Sequence, residues 1–273
     1  MRRTFRDRTI ILAAGAALFS AVATFATGAP PATAAAPVRV LQFNMCGAIC
    51  NHGTIDMAGT GNDVVEDVRA RVAAFSPSVV TLNEVCAGQF ARLRSLLGGA
   101  AWKMTGAFRA QRSDPRCQGG TGFGDAVFTA GGISGQSVLA LPNQPFGERR
   151  AVLCVRTTVG GGPTLACVLH TVTDNPVKGR QVAAAARAAN TAAASGAVIL
   201  GGDFNTGPGG MRALLDPRLG GRFFDVDPQQ ASTRGGKIDY VLFDRGHFAN
   251  PSGGPQSSRR SDHEFLMGQA TRL

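Results

Sequence analysis

The sequence predicts an α/β fold with a mixed sheet arrangement. Short apolar runs, the pattern of buried strands, alternate along the chain with segments whose apolar residues recur at helical spacing. A turn signal, Gly160-Gly161-Gly162-Pro163, lies between two further strand-like runs and predicts a hairpin. A hairpin requires antiparallel pairing, whereas alternating helices and strands favour parallel pairing, so both kinds of pairing are expected.

Two strands and two helices are predicted in the first half of the chain. The runs Val38–Phe43 and Val79–Asn83 are short and rich in valine and other apolar residues, which favours strands. The segments Asn62–Phe75 and Ala87–Leu97 repeat apolar residues every three or four positions, which places those residues on one face of a helix. Asn62 can also cap the first of these helices.

The second half contains the hairpin, a third helix and two further strands. The hairpin strands are predicted at Ala151–Thr158 and Thr164–His170. The alanine-rich segment Lys178–Ala194 predicts a helix. The apolar run Val198–Leu200 and the β-prone run Lys237–Phe243 predict the two strands.

Polar side chains that can carry chemistry stand at or near the ends of these strands. The most informative segment is Gly201-Gly202-Asp203-Phe204-Asn205, because Asp203 and Asn205 point to the same side if the chain is still extended there. Strand ends are where chemistry tends to lie in α/β folds. Taken alone, this segment also fits a strand followed by an Asx turn. The full set is Asn44, Glu84, His170, Asp203, Asn205, Asp239, Asp262 and His263.

This set of residue types favours chemistry with a hard metal ion. Carboxylate and amide oxygens are the ligands that hard divalent cations prefer. Carboxylates and histidines can also deprotonate a water and protonate a leaving group. The sequence contains no CxxC pair and no HExxH motif, which argues against a zinc centre of either kind.

Residues 1–36 are predicted to be a secretory signal peptide, which leaves residues 37–273 as one domain. Four arginines precede an apolar stretch from Ile10 to Ala26, and Ala32-Thr33-Ala34 offers a cleavage site. A membrane anchor is the alternative, but about seventeen residues rich in alanine, glycine and threonine are short for a span. The pair Arg2-Arg3 also resembles a twin-arginine signal, so the export route stays open.

Six cysteines, all beyond the leader, fit an oxidising compartment and up to three disulfides. The predicted hairpin makes Cys154 and Cys167 cross-strand neighbours, and cross-strand Cβ spacing suits a disulfide. The other four allow three connectivities, of which Cys46–Cys50 with Cys86–Cys117 is favoured. A zinc site is the alternative, although the paired spacing of zinc ligands is missing.

The charge of the chain favours a polyanionic substrate. The whole sequence carries a net charge of +10; the leader holds four arginines and one aspartate, which leaves 24 basic and 17 acidic residues, or +7. A positive field attracts polyanions, and arginine suits bidentate contacts with phosphate. Two arginine pairs, Arg149-Arg150 and Arg259-Arg260, are candidate phosphate contacts; ordinary solvated arginines are the alternative.

Seven short motifs follow one another between Val38 and Gly268. They are Leu41–Asn44, Val80–Val85, Gly124–Val127, Val168–His170, Gly201–Asn205, Lys237–Leu242 and Ser261–His263. Each motif alone is weak, but the seven in this order resemble the endonuclease/exonuclease/phosphatase superfamily, whose type members include pancreatic-type deoxyribonuclease and abasic-site endonuclease. Two departures concern substrate contacts: Asn83 stands where the family often has Gln, and Asp125 where Asn is common.

The resemblance implies a fold and a metal. The fold is a four-layer sandwich of two packed mixed β-sheets flanked by helices, with the site at one edge of the sandwich. Glu84 would be the principal metal ligand, and Asn44 and Asp262 would complete or border the site. Mg²⁺ or Mn²⁺ would neutralise the charge that develops on the phosphate.

The resemblance also implies roles for the remaining site residues. Asp239 would orient His263, and His170 would match the second catalytic histidine of the deoxyribonuclease branch. Asp203 and Asn205 would position the attacking water and a phosphoryl oxygen. The general base is either Asp203 or a histidine.

The sequence therefore predicts a secreted, monomeric, divalent-metal-dependent phosphodiesterase, most simply a nuclease that hydrolyses DNA or RNA. The alternative is a phosphatase or a sphingomyelinase-type lipid phosphodiesterase. That alternative would need an exposed aromatic or apolar hairpin for membrane contact, and a chain with one Trp and one Tyr offers no candidate, so no stable membrane association is expected. A catalytically inactive binding module would need a broken site, and none of the expected acids or histidines is replaced. Endonuclease and exonuclease action both stay open.

Overall fold

The predicted sandwich is present: two mixed β-sheets pack face to face, and helices cover their outer faces. The computed structural model describes residues 36–48, 62–117, 120–142, 149–174 and 176–273. Residues Ala35–Leu273 form one compact unit. The predicted leader lies outside the described residues, and so does Cys50, on which the predicted Cys46–Cys50 pairing depends.

The bounds of the elements are as follows. The strands are β1 (Val38–Asn44), β2 (Val79–Cys86), β3 (Thr105–Ser113), β4 (Gly122–Thr129), β5 (Gly135–Ala140), β6 (Ala151–Val159), β7 (Gly162–His170), β8 (Ala197–Asp203), β9 (Phe223–Asp225), β10 (Asp239–Asp244), β11 (Phe248–Gln256) and β12 (Phe265–Arg272). The α-helices are α1 (Asn62–Phe75), α2 (Ala87–Leu97), α3 (Val177–Ala193) and α4 (Arg212–Leu215). Two short 3₁₀ helices lie at Pro208–Met211 and Pro217–Leu219.

Both sheets have the same topology. In the described part of the chain, sheet A has the order β11-β12-β1-β2-β4-β3 and sheet B has the order β5-β6-β7-β8-β10-β9. In sheet A the pair β1–β2 is parallel, in sheet B the pair β7–β8 is parallel, and the other neighbours run antiparallel. The strands β1, β2 and β4 therefore occupy the positions in sheet A that β7, β8 and β10 occupy in sheet B.

Three apolar clusters hold the four layers together. The central cluster contains residues of both sheets, such as Val40 and Val127 from sheet A and Val168 and Ile199 from sheet B. A second cluster packs α1 and α2 onto sheet A, and a third packs α3 and α4 onto sheet B. Burial of apolar surface at all three interfaces orders the layers as helices, sheet, sheet, helices.

Two glycines near the end of β8 permit close contacts, one with the facing sheet and one with the neighbouring strand. A Cβ built on Gly201 would collide with Oγ1 of Thr81, which lies on the facing strand β2. Gly202 has a φ of 156°, and a Cβ there would collide with the backbone of Leu169 on β7. Gly201 therefore lets the end of β8 lie close to sheet A, and Gly202 lets it lie close to β7.

The predicted hairpin and two of the predicted disulfides are confirmed. Strands β6 and β7 pair antiparallel with Cys154 opposite Cys167, and a disulfide joins these two residues across a Cα–Cα distance of 4.1 Å. A second disulfide joins Cys86, at the end of β2, to Cys117 across a Cα–Cα distance of 5.3 Å. Among the described residues, no helix is long and apolar enough to cross a membrane.

Candidate active site

Strands of both sheets end at one cavity of about 540 Å³. Sheet A brings Glu84 from β2, sheet B brings His170 and Asp203 from the ends of β7 and β8, and the segment before β12 brings Asp262 and His263. The other residues that line the cavity are Arg150, Val172, Thr173, Asp174, Asn205, Thr233, Arg234, Gly235 and Ile238. Of all the residues that line the cavity, seven were candidates from the sequence: Glu84, Arg150, His170, Asp203, Asn205, Asp262 and His263.

Asp203 lies between the two histidines. One of its carboxylate oxygens, Oδ2, is 3.4 Å from Nε2 of His170 and 3.7 Å from Nε2 of His263. The other oxygen accepts a hydrogen bond of 2.8 Å from the backbone N–H of Asn205. Burial alone would raise the pKa of Asp203, but the hydrogen bond and charge of His170, together with the charge of His263, lower that pKa to about 2. Asp203 is therefore ionised at neutral pH.

His263 is held from behind by Asp239. Its Nδ1 lies 2.8 Å from Oδ2 of Asp239, and both side chains are buried. Burial alone would lower the pKa of His263, but the charge of Asp239 and the hydrogen bond to it, with the charges of Asp203 and Asp262, raise that pKa to about 10. Burial, opposed by His263, raises the pKa of Asp239. The imidazole of His263 is therefore positively charged at neutral pH, with both ring nitrogens protonated, and its Nε2 faces Asp203.

Asn205 closes the strand end next to Asp203. Its φ of 48° lies in the left-handed region, which asparagine tolerates better than most residues. Its side-chain amide donates a hydrogen bond of 2.8 Å to the backbone carbonyl of Thr171. This bond ties the chain after β8 to the chain after β7, so that His170 and Asp203 stay side by side.

A β-bulge places Glu84 at the cavity. Leu82 pairs with Ala126 and Val85 pairs with Gly124, so Asn83 and Glu84 both stand opposite Asp125. Glu84 has a φ of 56°, a strained value for a non-glycine residue. Consecutive residues of a regular strand point to opposite faces, and the bulge removes this alternation. Glu84 can therefore reach the cavity although Asn83 points between the sheets.

Asn44 bridges the carboxylates of the two sheets. Its Nδ2 donates a hydrogen bond of 3.1 Å to Glu84 and one of 3.2 Å to Asp203. Its Oδ1 accepts a hydrogen bond of 3.0 Å from the backbone N–H of Cys46. The amide nitrogen of Asn44, rather than its oxygen, therefore faces the carboxylates in this arrangement, and its role as a metal ligand stays a prediction.

The donor set fits a divalent cation. Asp203, Asp239 and His263 are buried and each offers a ligand atom within 4.8 Å of the others. Oδ1 of Asp239 is buried and accepts no hydrogen bond from the described residues. Glu84 and Asp262 add two carboxylates on the same cavity. These acidic oxygens are ligands for a hard cation, whereas His263 already uses Nδ1 to bind Asp239.

The four predicted arginine contacts lie in different places. Arg150 lines the cavity, and Arg149 next to it is exposed. Arg259 and Arg260 line a separate surface cavity, together with acidic and basic residues of α1. Their role as phosphate contacts stays a prediction. Arg234, which is exposed in the turn before β10, lines the active-site cavity but belongs to no motif in the sequence.

Sequence reasoning also missed the buried polar residues behind the site. Gln42, Asn83, Gln111 and Asp125 are linked by hydrogen bonds that reach Asp203 and Arg150. The sequence linked Asn83 and Asp125, the two positions that depart from the family pattern, to substrate contacts, but both are buried and neither lines the cavity. Gln111 had no signal, since it lies in a strand that the sequence did not predict.

Comparison with known proteins places the chain in a family. The family described as "Endonuclease/Exonuclease/phosphatase family" matches residues 41–263, which is well over half of the chain. This range includes all seven motifs. A search of curated proteins found no match.

Solved structures share the fold at low sequence identity. The catalytic domain of human Nocturnin, solved with a bound sulfate anion, is 15% identical with a TM-score of 0.67, over 87% of this chain and 94% of that one. An endonuclease/exonuclease/phosphatase from Bacteroides vulgatus is 13% identical with a TM-score of 0.67, over 87% of this chain and 100% of that one. TDP2 from D. rerio, solved with a single-strand DNA product, is 12% identical with a TM-score of 0.63, over 86% of this chain and 98% of that one.

Proposed function

The chain belongs to the endonuclease/exonuclease/phosphatase family, and from this premise we propose that it is a secreted, divalent-metal-dependent phosphodiesterase that hydrolyses polynucleotides, primarily DNA. The observation that carries the proposal is the position of Asp203. Its carboxylate is ionised, lies between His170 and a protonated His263, and faces a cavity with arginine on its wall. This arrangement can activate a water on one side of a phosphate and protonate a leaving oxygen on the other.

The residues divide the reaction between them. The oxygen of the attacking water forms the new bond to phosphorus while the bond to the leaving oxygen breaks, and the Asp203–His170 pair takes the water proton. His263, kept protonated by Asp239 at its Nδ1, donates its Nε2 proton to the leaving oxygen. Mg²⁺ or Mn²⁺, held by Glu84 and Asp262 with Asn44 at the border of the site, would neutralise charge on the phosphoryl oxygens.

A polynucleotide is the substrate that the charges favour. The chain beyond the leader has a net charge of +7, and Arg150 and Arg234 lie at the cavity itself. Among the proteins with this fold, TDP2 from D. rerio was solved with a single-strand DNA product. The leader predicted from the sequence supports secretion, and so do the two disulfides, because disulfides form in oxidising compartments.

A substrate panel tests the proposal. Purified protein without the leader is incubated with plasmid DNA, RNA, sphingomyelin and a phosphomonoester, each with Mg²⁺, with Mn²⁺ and with chelator. We expect DNA to be cut with either metal, no reaction in chelator, and recovery when metal is restored, because oxygen ligands hold the ion. An Asp203→Asn variant, purified in parallel, controls for contaminating nucleases.

The possible results separate the parts of the proposal. Cleavage that continues after thorough chelation would contradict the metal-dependent mechanism. Intact DNA and RNA, with hydrolysis of sphingomyelin or of the phosphomonoester, would contradict the substrate and leave the metal chemistry in place.

A further inference from the structure

A buried hydrogen-bond chain connects Asp203 to Arg150 through the space between the sheets. Oδ1 of Asn83 accepts a hydrogen bond of 2.9 Å from the backbone N–H of Asp203, and Nδ2 of Asn83 donates one of 2.9 Å to Asp125. The other oxygen of Asp125 accepts a short hydrogen bond from Nε2 of Gln111. Oε1 of Gln111 in turn accepts a hydrogen bond of 3.4 Å from Nη1 of Arg150. The two residues at the ends of this series of hydrogen bonds, Asp203 and Arg150, both line the active-site cavity.

Asp125 determines which way both amides point. Asn83, Gln111 and Asp125 are at most 5% exposed, so protein groups rather than bulk water satisfy most of their polar atoms. A carboxylate offers only acceptors, so both amides must turn their NH₂ groups toward it. Their carbonyl oxygens then point away, one to the N–H of Asp203 and the other to Arg150.

The topology of the two sheets gives independent support. Strand β4 holds the position in sheet A that β10 holds in sheet B, so Asp125 corresponds to Asp239. Asp239 stands opposite Asp203 in the register, and Asp125 stands opposite the bulge at Asn83 and Glu84. His263 precedes β12, and Arg150 precedes β6, which holds the corresponding position. In each half, a buried aspartate therefore stands behind a cationic side chain at the cavity.

We propose that Asp125 and Gln111 are positioning residues that aim the Arg150 guanidinium at the substrate phosphoryl group, as Asp239 aims His263. This inference rests on the proposed function, since it takes Arg150 as a phosphate contact. A bulge in β3 makes the contact possible. Ala110 pairs with Gly124 and Arg112 with Phe123, so Gln111 is an extra residue whose side chain turns inward.

Replacing Asp125 by Asn should reverse one amide. An amide at position 125 offers one acceptor and one donor, so it can satisfy only one of the two NH₂ groups that face it. Asn83 is fixed by further hydrogen bonds of 2.7 Å from Gln42 and 2.9 Å to the carbonyl of Leu169. Gln111 therefore turns, and its NH₂ group then faces the guanidinium of Arg150.

The test measures the Kd of inorganic phosphate by calorimetry in the presence of Mg²⁺, so that no substrate is required. The variants are Arg150→Met, Gln111→Met, Asp125→Asn and the double variant Gln111→Met/Arg150→Met, with Gln89→Met as a matched control. Gln89 is also buried, but it binds the backbone of Gly47 and Cys86. Thermal unfolding of each variant shows that it is folded.

We expect Arg150→Met, Gln111→Met and Asp125→Asn each to raise the Kd about tenfold, the effect of losing a hydrogen bond to a charged group. The double variant should bind no more weakly than Arg150→Met, because Gln111 acts through Arg150. Gln89→Met should bind like the wild type. If Asp125→Asn does not fold, the Gln111→Met cycle alone decides.

Three results would overturn the inference. They are wild-type phosphate affinity in Gln111→Met or in a folded Asp125→Asn, additive effects of Gln111→Met and Arg150→Met, or wild-type affinity in Arg150→Met. All three leave DNA cleavage by the wild type intact. Conversely, the protein could cut no polynucleotide while the effects of Gln111→Met and Arg150→Met on phosphate binding are coupled. That result would uphold the role of Gln111 in positioning Arg150 and would refute the proposed substrate.

Discussion

Asp203 is the residue at which the side chains of the site converge. Both histidines, the amide of Asn44 and, through its own backbone N–H, Asn83 contact it. Each contact favours the ionised carboxylate or fixes its orientation. The two histidines therefore share Asp203 as a partner, and removal of either should change the charge and the orientation of its carboxylate.

At this scale we predict that His170→Ala and His263→Ala each lower kcat by at least about 100-fold, because each removes a group that transfers or holds a proton. His247→Ala is the matched control, since His247 contacts Asp244 and does not line the cavity. Steady-state kinetics on DNA and circular dichroism of each variant check this prediction. A His170→Ala enzyme with a near-normal rate would remove His170 from the mechanism.

The environment of Asp114 leads to a prediction about the stability of the fold in acid. Its side chain is 2% exposed and binds Arg116 and Arg112, each at 2.7 Å. The hydrogen bond from Arg116, opposed by burial and aided by the charges of both arginines, lowers the pKa of Asp114 from 3.8 to about 2. A lowered pKa in the folded state means that the contribution to stability is fully present above pH 4 and is lost as the pH falls toward 2.

The Asp114→Asn variant should therefore lose less stability than the wild type when the pH falls from about 4 to about 2. Denaturant unfolding at a series of pH values measures the difference. Asp216→Asn is the control, because Asp216 lies at an exposed helix end. A wild-type slope in Asp114→Asn would show that this carboxylate does not titrate as described.

Among the elements, those with a strong local pattern were predicted well. Helices α1 and α2 have the predicted bounds, and α3 is displaced by one residue. The hairpin β6–β7 has the register on which the disulfide prediction rested. The last predicted strand was wrong at its start: β10 begins at Asp239, and Lys237 lies in the irregular segment before it, where it pairs with Asp225.

Elements without a local pattern were not predicted. Strand β11 contains Pro251, Pro255 and two glycines, which disfavour strands, but it lies at the edge of sheet A, where proline is tolerated. Strand β5 is an exposed edge strand of six residues. The bulges at Glu84 and Gln111 also depend on pairing partners far along the chain. Partners of this kind cannot be read from local periodicity.

At the scale of elements, we predict how removal of the disulfide in the β6–β7 hairpin changes the stability of the fold. The Cys154–Cys167 disulfide braces the strand that ends in His170, so the variant Cys154→Ala/Cys167→Ala should lose roughly 2–4 kcal/mol of unfolding free energy. Denaturant unfolding measures this loss, and peptide mass mapping checks the pairing in the wild type. A free thiol at either position in the purified protein, isolated without reductant, would contradict the assignment.

At the scale of the whole molecule, the sequence predicted which residues form the site but not how they contact one another. The order of the motifs identified Glu84, His170, Asp203 and His263, and all four line one cavity. Sequence order does not reveal that Asn44 bridges Glu84 and Asp203 across the sheets. Arg259 and Arg260 are also close to His263 in the sequence, yet in the structure these arginines line a different cavity.

The net charge leads to a prediction about DNA binding. If several arginines contact phosphates, the Kd for DNA should rise steeply with salt, because binding releases counterions. Replacing Arg259 and Arg260 together by Ala should lower the salt slope by up to about 2, one for each phosphate that these arginines neutralise. The control is Arg212→Ala/Arg218→Ala, which removes the same charge from α4 and from the 3₁₀ helix after it. Equal slopes in the two variants would mean that Arg259 and Arg260 contribute only general charge.

The division of the site between two sheets has a consequence for how activity arises during folding. Glu84 and Asn44 belong to one sheet, whereas His170, Asp203 and Asp239 belong to the other. Asn44 joins the two sets through its hydrogen bond to Asp203, close to where Gly201 lets the sheets approach each other. A refolding chain that has formed either sheet alone has no complete site. The appearance of activity should therefore coincide with the final docking step, later than the recovery of secondary structure. Because that docking joins segments distant in sequence, we expect it to be the slow step.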